Sequence, residues 1–353
     1  MSKGKKWLIA FCLTAGIGML GFGAITYIVD PFFQYHKPVS GFPYMVDDQL
    51  NMNPGLAKNM DYDSILLGSS MTVNFNTSWF KEKMGLQTQK LSYNGAFPKD
   101  QSNIMEIVFD AKKDSVKSVF LGIDEVNYSA NPQETKFPIP EHLYDKNYLN
   151  DVQYLLNKDV MLNYIFRSAL DPKDKSDWDM IYKPWWQDEH YQKVLVMMYY
   201  EQAEIKEEAL PKDYFIDAVE ENLSKNICPY IEAHPETTFY IFYPPYSILY
   251  WNDVVRRNEL DAVIRKYEYM TERLIEYENV KIFMFQDNEE IICNLNNYAD
   301  YTHYHGRICE YMVECFANGT NLVTKENYIS RLAEFKSFAA SYDYEEIFMD
   351  WYN

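Results

Sequence analysis

The chain has 353 residues, 47% of them hydrophobic and 24% charged. This excludes a disulfide-stapled miniprotein, a disordered chain and a multi-span transporter, and suits one large α/β domain with an insertion or two modest domains. A formal charge of -19 offers no basic face for phosphates, so it argues against nucleic-acid binding and reads as a solubility device.

The first element is apolar on every face. From Trp7 to Val29 the sequence carries no charge, and at about 1.5 Å per residue a helix of that length spans roughly 34 Å, enough to cross a bilayer. Lys3, Lys5 and Lys6 precede it and Asp30, Asp47 and Asp48 follow. The positive-inside rule then places residues 1–6 in the cytoplasm and everything after the span outside. The apolar stretch is longer than a signal peptide's and ends in TYIVDPFF rather than at an Ala-x-Ala-like site, so an uncleaved anchor over 7–29 is expected.

Residues 30–60 contain Pro31, Pro38, Pro43 and Pro54 and no sustained period, which predicts an extended collar. A catalytic domain is expected over 61–353. In it short apolar runs at 64–68, 90–92, 118–123, 239–243 and 280–285 read as buried strands, and helical patterns fall at 100–114, 211–233 and 253–277. That alternation predicts an α/β fold around a central parallel sheet. The stretch 124–210 interrupts it, with a helical segment near 150–170 and the rings of Trp178, Trp185, Trp186, Tyr199 and Tyr200 beside His190. It is expected as an aromatic-rich insertion over the end of the sheet where ligands bind.

Two segments carry chemistry. In Gly68-Ser69-Ser70-Met71-Thr72 a buried strand ends and small hydroxyl residues follow at the turn. A serine there either caps a helix or projects its hydroxyl into a cleft beside free backbone N–H groups. In Asp300-Tyr301-Thr302-His303-Tyr304-His305 two of only six histidines stand beside a carboxylate. A nucleophilic serine needs an imidazole to take its proton and a carboxylate to hold that ring's tautomer, and His303 and Asp300 supply both. His305 reads as a surface residue at a helix start. Cys228, Cys293, Cys309 and Cys315 lie outside the anchor with no C-x-x-C, so three pairings and free thiols stay open, and neither a metal nor a cofactor is assigned.

Together, the Gly-x-Ser strand end, the glycine of Leu91-Ser92-Tyr93-Asn94-Gly95-Ala96 and the Asp-x-x-His near the C-terminus resemble the SGNH (GDSL-like) hydrolase superfamily over about 61–320. The likeness is to its membrane-anchored bacterial cell-surface branch, which includes the D-alanyl transfer protein of lipoteichoic acid synthesis and the alginate O-acetylation proteins. This resemblance implies a flavodoxin-like α/β/α sandwich with Ser70 as nucleophile, His303 as base, Asp300 as its orienter, and the N–H groups of Ser70 and Gly95 as the oxyanion hole. Two positions depart from the pattern. Ser69 stands where Asp is common, and Gly122-Ile123-Asp124-Glu125 stands where many members have Gly-x-Asn-Asp. An ionised Asp124 donates no hydrogen bond, which leaves Asn127 or Asn94 as candidates for the third donor.

Aromatic residues reach 17%, more than a core demands, and sugar sites combine flat rings with polar edges. Tyr246 and Trp251, in the run after the fourth strand, and Trp185 and Trp186 in the insertion are therefore expected to touch substrate. The function expected is extracytoplasmic serine O-acyl transfer, of acetyl or D-alanyl, to a cell-surface polysaccharide or teichoic acid, with an integral membrane acyltransferase as partner. The alternatives are an esterase on the same polymer and a non-catalytic adaptor.

Overall fold

The computed structural model describes residues 1–172, 175–182 and 188–352, the side chains of Asp350 and Tyr352 excepted. The chain forms two compact units, one from residues 1–60 and 138–182, the other from 61–137 and 183–353.

In the first unit a helix runs from Lys3 to Val29, long and apolar enough to cross a membrane, with mean hydropathy 2.1 over its most apolar window. It stops where Asp30 takes a left-handed conformation (φ 46°). The Asp30 carboxylate then gathers the N–H groups of Gln34, Tyr35 and His36 at 2.7–3.1 Å and the Tyr154 hydroxyl at 2.8 Å, which folds the chain sharply at the helix exit. The expected collar is not all extended. Residues Gln49–Asn59 form a helix capped by Asp48, whose carboxylate accepts from Asn51 N, and Pro54 sits inside it. Four prolines hid this helix from the sequence, because a proline beyond the first turn ordinarily signals a break.

The second unit is a mixed α/β body on a six-stranded sheet, β1 Ser64–Leu67, β2 Thr88–Lys90, β3 Ser118–Gly122, β4 Thr238–Tyr243, β5 Val280–Met284 and β6 Leu322–Val323. Their order is β2-β1-β3-β4-β5-β6, parallel except for β6, which runs antiparallel to β5. All residues of β1 and β3 are buried, as their uninterrupted apolar runs demand. β2 lies two residues earlier than expected. β6, with two residues, is too short to leave a period. The pattern at 253–277 divides into helices Ile248–Arg256 and Leu260–Leu274, because Asn258 is left-handed (φ 55°) and its amide donates to Glu207 O.

Much of the aromatic content is core. Phe120 and Tyr240 stack at 4.7 Å, and Phe316 packs on Phe242 and Phe283 at 5.3 and 5.1 Å. Segment 124–210 is not one insertion, since 138–182 belong to the first unit and the flanking residues to the second. The four cysteines outside the N-terminal helix are unpaired thiols, and burial pushes each of them up, away from the reactive thiolate.

Candidate active site

The strand order reverses between β1, which leads outward to β2, and β3, which leads to the other half of the sheet. Ligands of doubly wound sheets bind at such a switch point, at the carboxyl ends of the strands. Ser70 follows β1 there and Asp124 follows β3.

Gly68 makes the turn possible. Its φ of +152° is one that side chains rarely adopt, and a Cβ would stand 2.5 Å from Thr72 Cγ2. A short 3₁₀ turn, Ser70–Thr72, follows, and it is Ser69 rather than Ser70 that caps it, accepting from Met71 N. The Ser70 hydroxyl is thereby released from capping, and the residue is half-buried.

His303 sits on a tight loop closed by a Tyr298–Tyr304 bridge. Its Nε2 lies 2.8 Å from Ser70 Oγ, and its Nδ1 lies 2.7 Å from Asp300 Oδ2. Asp300 Oδ1 meanwhile accepts the N–H groups of Thr302 and His303, each at 2.8 Å. Burial acts to raise the Asp300 carboxyl, but the hydrogen bond and charge of His303 and these two N–H groups override it and lower it to about 2. A carboxylate held this far down stays ionised, and its contribution to stability is present above the ordinary value and lost only as pH falls toward about 2.

Two neighbours missed in the sequence hold the loop against the serine turn. Tyr304 donates its hydroxyl to Met71 O at 2.7 Å, and Asn74 Nδ2 donates to Tyr304 O at 2.8 Å. The only signal was proximity, Tyr304 beside His303 and Asn74 four residues past Ser70. His305 caps the helix Gly306–Asn318, accepting from Arg307 N.

The loop after β2 reaches the same place. Tyr93 N donates to Gly68 O at 3.0 Å, and the hydroxyls of Thr72 and Ser92 meet at 2.7 Å. Gly95 takes φ +69° in the turn closed by Ala96 N to Tyr93 O. Among the described residues, neither the Ser70 nor the Gly95 N–H donates to another protein group. Asn94 is half-buried in that turn. Asn127 donates its amide to Ala96 O at 3.0 Å, so it braces the Gly95 turn.

Asp124 follows the end of β3. It is buried, and Oδ1 accepts the Tyr246 hydroxyl at 2.6 Å. Burial raises its carboxyl, opposed by the hydroxyls of Ser69 and Tyr246 and by the His303 charge. The shift favours the neutral acid, which, unlike a carboxylate, donates a hydrogen bond. Beyond it Glu125 is engaged by the Lys266 ammonium and the Tyr250 hydroxyl, a paired charge within the core. A raised carboxyl stabilises the fold at low pH and loses that contribution as pH rises through its folded value. Asp124→Asn keeps the acceptor for Tyr246 and removes the proton. From the ordinary carboxylate range upward, between pH 4 and pH 8, its melting temperature is therefore expected to fall less than that of the parent. Equal slopes in thermal unfolding would exclude a raised Asp124.

Of the expected substrate rings, Tyr246 and Trp251 are buried. Trp251 is fully enclosed, packed on Phe335 at 4.6 Å and Tyr250 at 5.3 Å. Tyr246 is buried with its hydroxyl bound to Asp124. The apolar positions of Ile248–Arg256 bring this helix into the core, and its two rings follow. Trp185 and Trp186 lie outside the described residues. In sequence comparisons the chain matches no family model and no curated protein.

Proposed function

We propose that this protein is a membrane-anchored serine enzyme that transfers a small acyl group, acetyl or D-alanyl, to a hydroxyl of a cell-surface polymer. The observation that carries the catalytic part is the continuous relay from Ser70 Oγ through both nitrogens of His303 to Asp300, with both separations under 3 Å. In this reading His303 takes the Ser70 proton as Oγ attacks the acyl carbonyl, and Asp300 holds the tautomer and steadies the imidazolium. The tetrahedral oxyanion is received by the unspent N–H groups of Ser70 and Gly95. Collapse breaks the bond to the leaving group, which takes the proton from His303, and leaves the acyl group on Ser70. An acceptor hydroxyl then attacks the acyl-enzyme, giving its proton to His303, and Ser70 departs with that proton.

The sheet order 2-1-3-4-5 supports the finer expectation of a flavodoxin-like α/β/α sandwich. The apolar helix and the preceding Lys3, Lys5 and Lys6 support an anchor with residues 1–6 in the cytoplasm and the sheet unit outside. A polysaccharide or teichoic acid acceptor, and a membrane acyltransferase supplying the donor, belong to the same proposal and rest on the resemblance.

The test is a fluorophosphonate probe applied to the full chain in detergent. Covalent labelling at Ser70 is expected, and it should weaken when Asp300 is replaced by Asn. No labelling of a folded protein would exclude a reactive serine and favour an adaptor. If the labelled enzyme hydrolyses small esters at a rate that added polyol acceptors do not divert, it is an esterase.

A further inference from the structure

Outside the N-terminal helix, the largest group of exposed apolar side chains among the described residues lies in one stretch of the first unit. Residues 148–170 fold as short helical pieces, Val152–Leu155, the π-helical Val160–Phe166 and Arg167–Leu170. They bury Tyr154, Val160, Met161 and Ile165 inward. Leu149, Val152, Leu156, Leu162, Phe166 and Leu170 turn outward, between 38% and 89% exposed. Leu162, Phe166 and Leu170 recur at every fourth position and so form one stripe. In the sheet unit the described exposed large apolar residues form a smaller group, Val194, Met198 and Tyr199 on the short helix Lys193–Tyr199, and are otherwise scattered, as Val126, Tyr214, Ile329 and Met349 are. Clustered exposure of this kind on an otherwise charged protein marks a surface that meets something apolar.

Its position says what that is. Tyr154 OH donates to Asp30 Oδ1 at 2.8 Å and accepts Phe32 N at 3.1 Å, which ties the segment to the exit of the apolar helix. A Cβ at Gly23 would lie 3.5 Å from Leu156 Cδ2 and 3.9 Å from Leu155 Cβ. Gly23 precedes Asp30 by seven residues, about 10 Å along the axis at the helical rise. A bilayer that receives the helix up to Val29 therefore extends to the level of Leu155 and Leu156. That depth matches amphipathic segments lying in a membrane interface, about 5–10 Å below its surface. The charges between Leu149 and Leu170 are Asp151, Lys158, Asp159 and Arg167, which balance. The segment thus lacks the acidity that makes the rest of the chain repel anionic headgroups.

We propose that segment 148–170 is immersed in the leaflet at the exit of the N-terminal helix, with Leu149, Val152 and Leu156 and the Leu162, Phe166 and Leu170 stripe against lipid acyl chains. This rests on the reading of that helix as a membrane anchor. The chain then holds the membrane with two elements, a spanning helix and a half-immersed wedge beside it.

The test places a nitroxide at Leu156→Cys, Leu162→Cys or Phe166→Cys of the full chain, in a background with Cys12→Ala and Cys293→Ser. The protein is reconstituted in phosphatidylcholine–phosphatidylglycerol nanodiscs. Collision with oxygen, which partitions into lipid, is compared with collision with a water-soluble nickel chelate, using Leu13→Cys in the apolar helix and Tyr214→Cys on the sheet unit as references. All three sites are expected to follow Leu13, with oxygen-to-nickel ratios severalfold above Tyr214. If they follow Tyr214 while Leu13 reports lipid, the wedge is wrong and the anchor stands. If Leu13 also reports water, the anchor reading itself has failed. Low collision with both reagents at the three sites would mean they are covered by protein, which overturns lipid as the occupant.

Discussion

Ser70→Ala is expected to abolish fluorophosphonate labelling and to lower turnover of a small chromogenic ester by on the order of 10⁴–10⁶-fold, without a change in melting temperature. The hydroxyl is half-buried and is not used as a helix cap, since Ser69 fills that role, so the fold loses little with it. Asp300→Asn should cost on the order of 10⁴-fold, because an amide in place of the carboxylate turns the imidazole toward the wrong tautomer while leaving its position intact. The double variant should be scarcely worse than Ser70→Ala, as expected of residues that act as one unit. The assay is initial rate on the ester with circular dichroism alongside. Activity of Ser70→Ala at the parent rate would remove serine chemistry from this protein.

Trp251→Ala is expected to destabilise the sheet unit by about 3–5 kcal/mol, the usual cost of emptying a large aromatic site in a core. The side chain is fully buried against Phe335, Tyr250 and Tyr267. Activity on a polymer and on a small ester should fall together, in proportion to the unfolded fraction read from the denaturant midpoint. Selective loss on the polymer would return Trp251 to the substrate surface. Trp251→Phe should be far milder. It keeps an aromatic ring in place and removes an Nε1–H that is buried without a partner, a group whose enclosure costs free energy in the parent.

The contrast between Ser70 and Trp251 shows what a linear reading sees. The meeting of Ser70, His303 and Asp300 was open to a sequence reading because a serine–histidine–carboxylate relay needs particular residue types, and because histidine is scarce here and two of the six cluster beside one carboxylate. The burial of Trp251 was not legible because tryptophan serves a core and a sugar platform equally well, and only its neighbours tell which. The helix Gln49–Asn59 was missed since Pro54 breaks the local pattern while packing within the first unit sustains the helix. The break at Asn258 was missed since asparagine enters the left-handed region without any mark on the surrounding periodicity.

By itself the sequence determined those features that depend on composition and short-range pattern: the charge-free N-terminal span, four of the parallel strands in place, and the residue types a serine relay requires. Buried strands and membrane spans announce themselves because water excludes long apolar runs wherever they lie. The tertiary structure decided everything that depends on which distant residues become neighbours. It joined Ser70 to His303 across 233 positions at 2.8 Å, enclosed Asp124 so that its carboxyl is raised, and drew Trp251 inward. It also divided segment 124–210 between two units. Burial, protonation and contact are set by the atoms around a group, and those atoms come from parts of the chain that no local pattern connects.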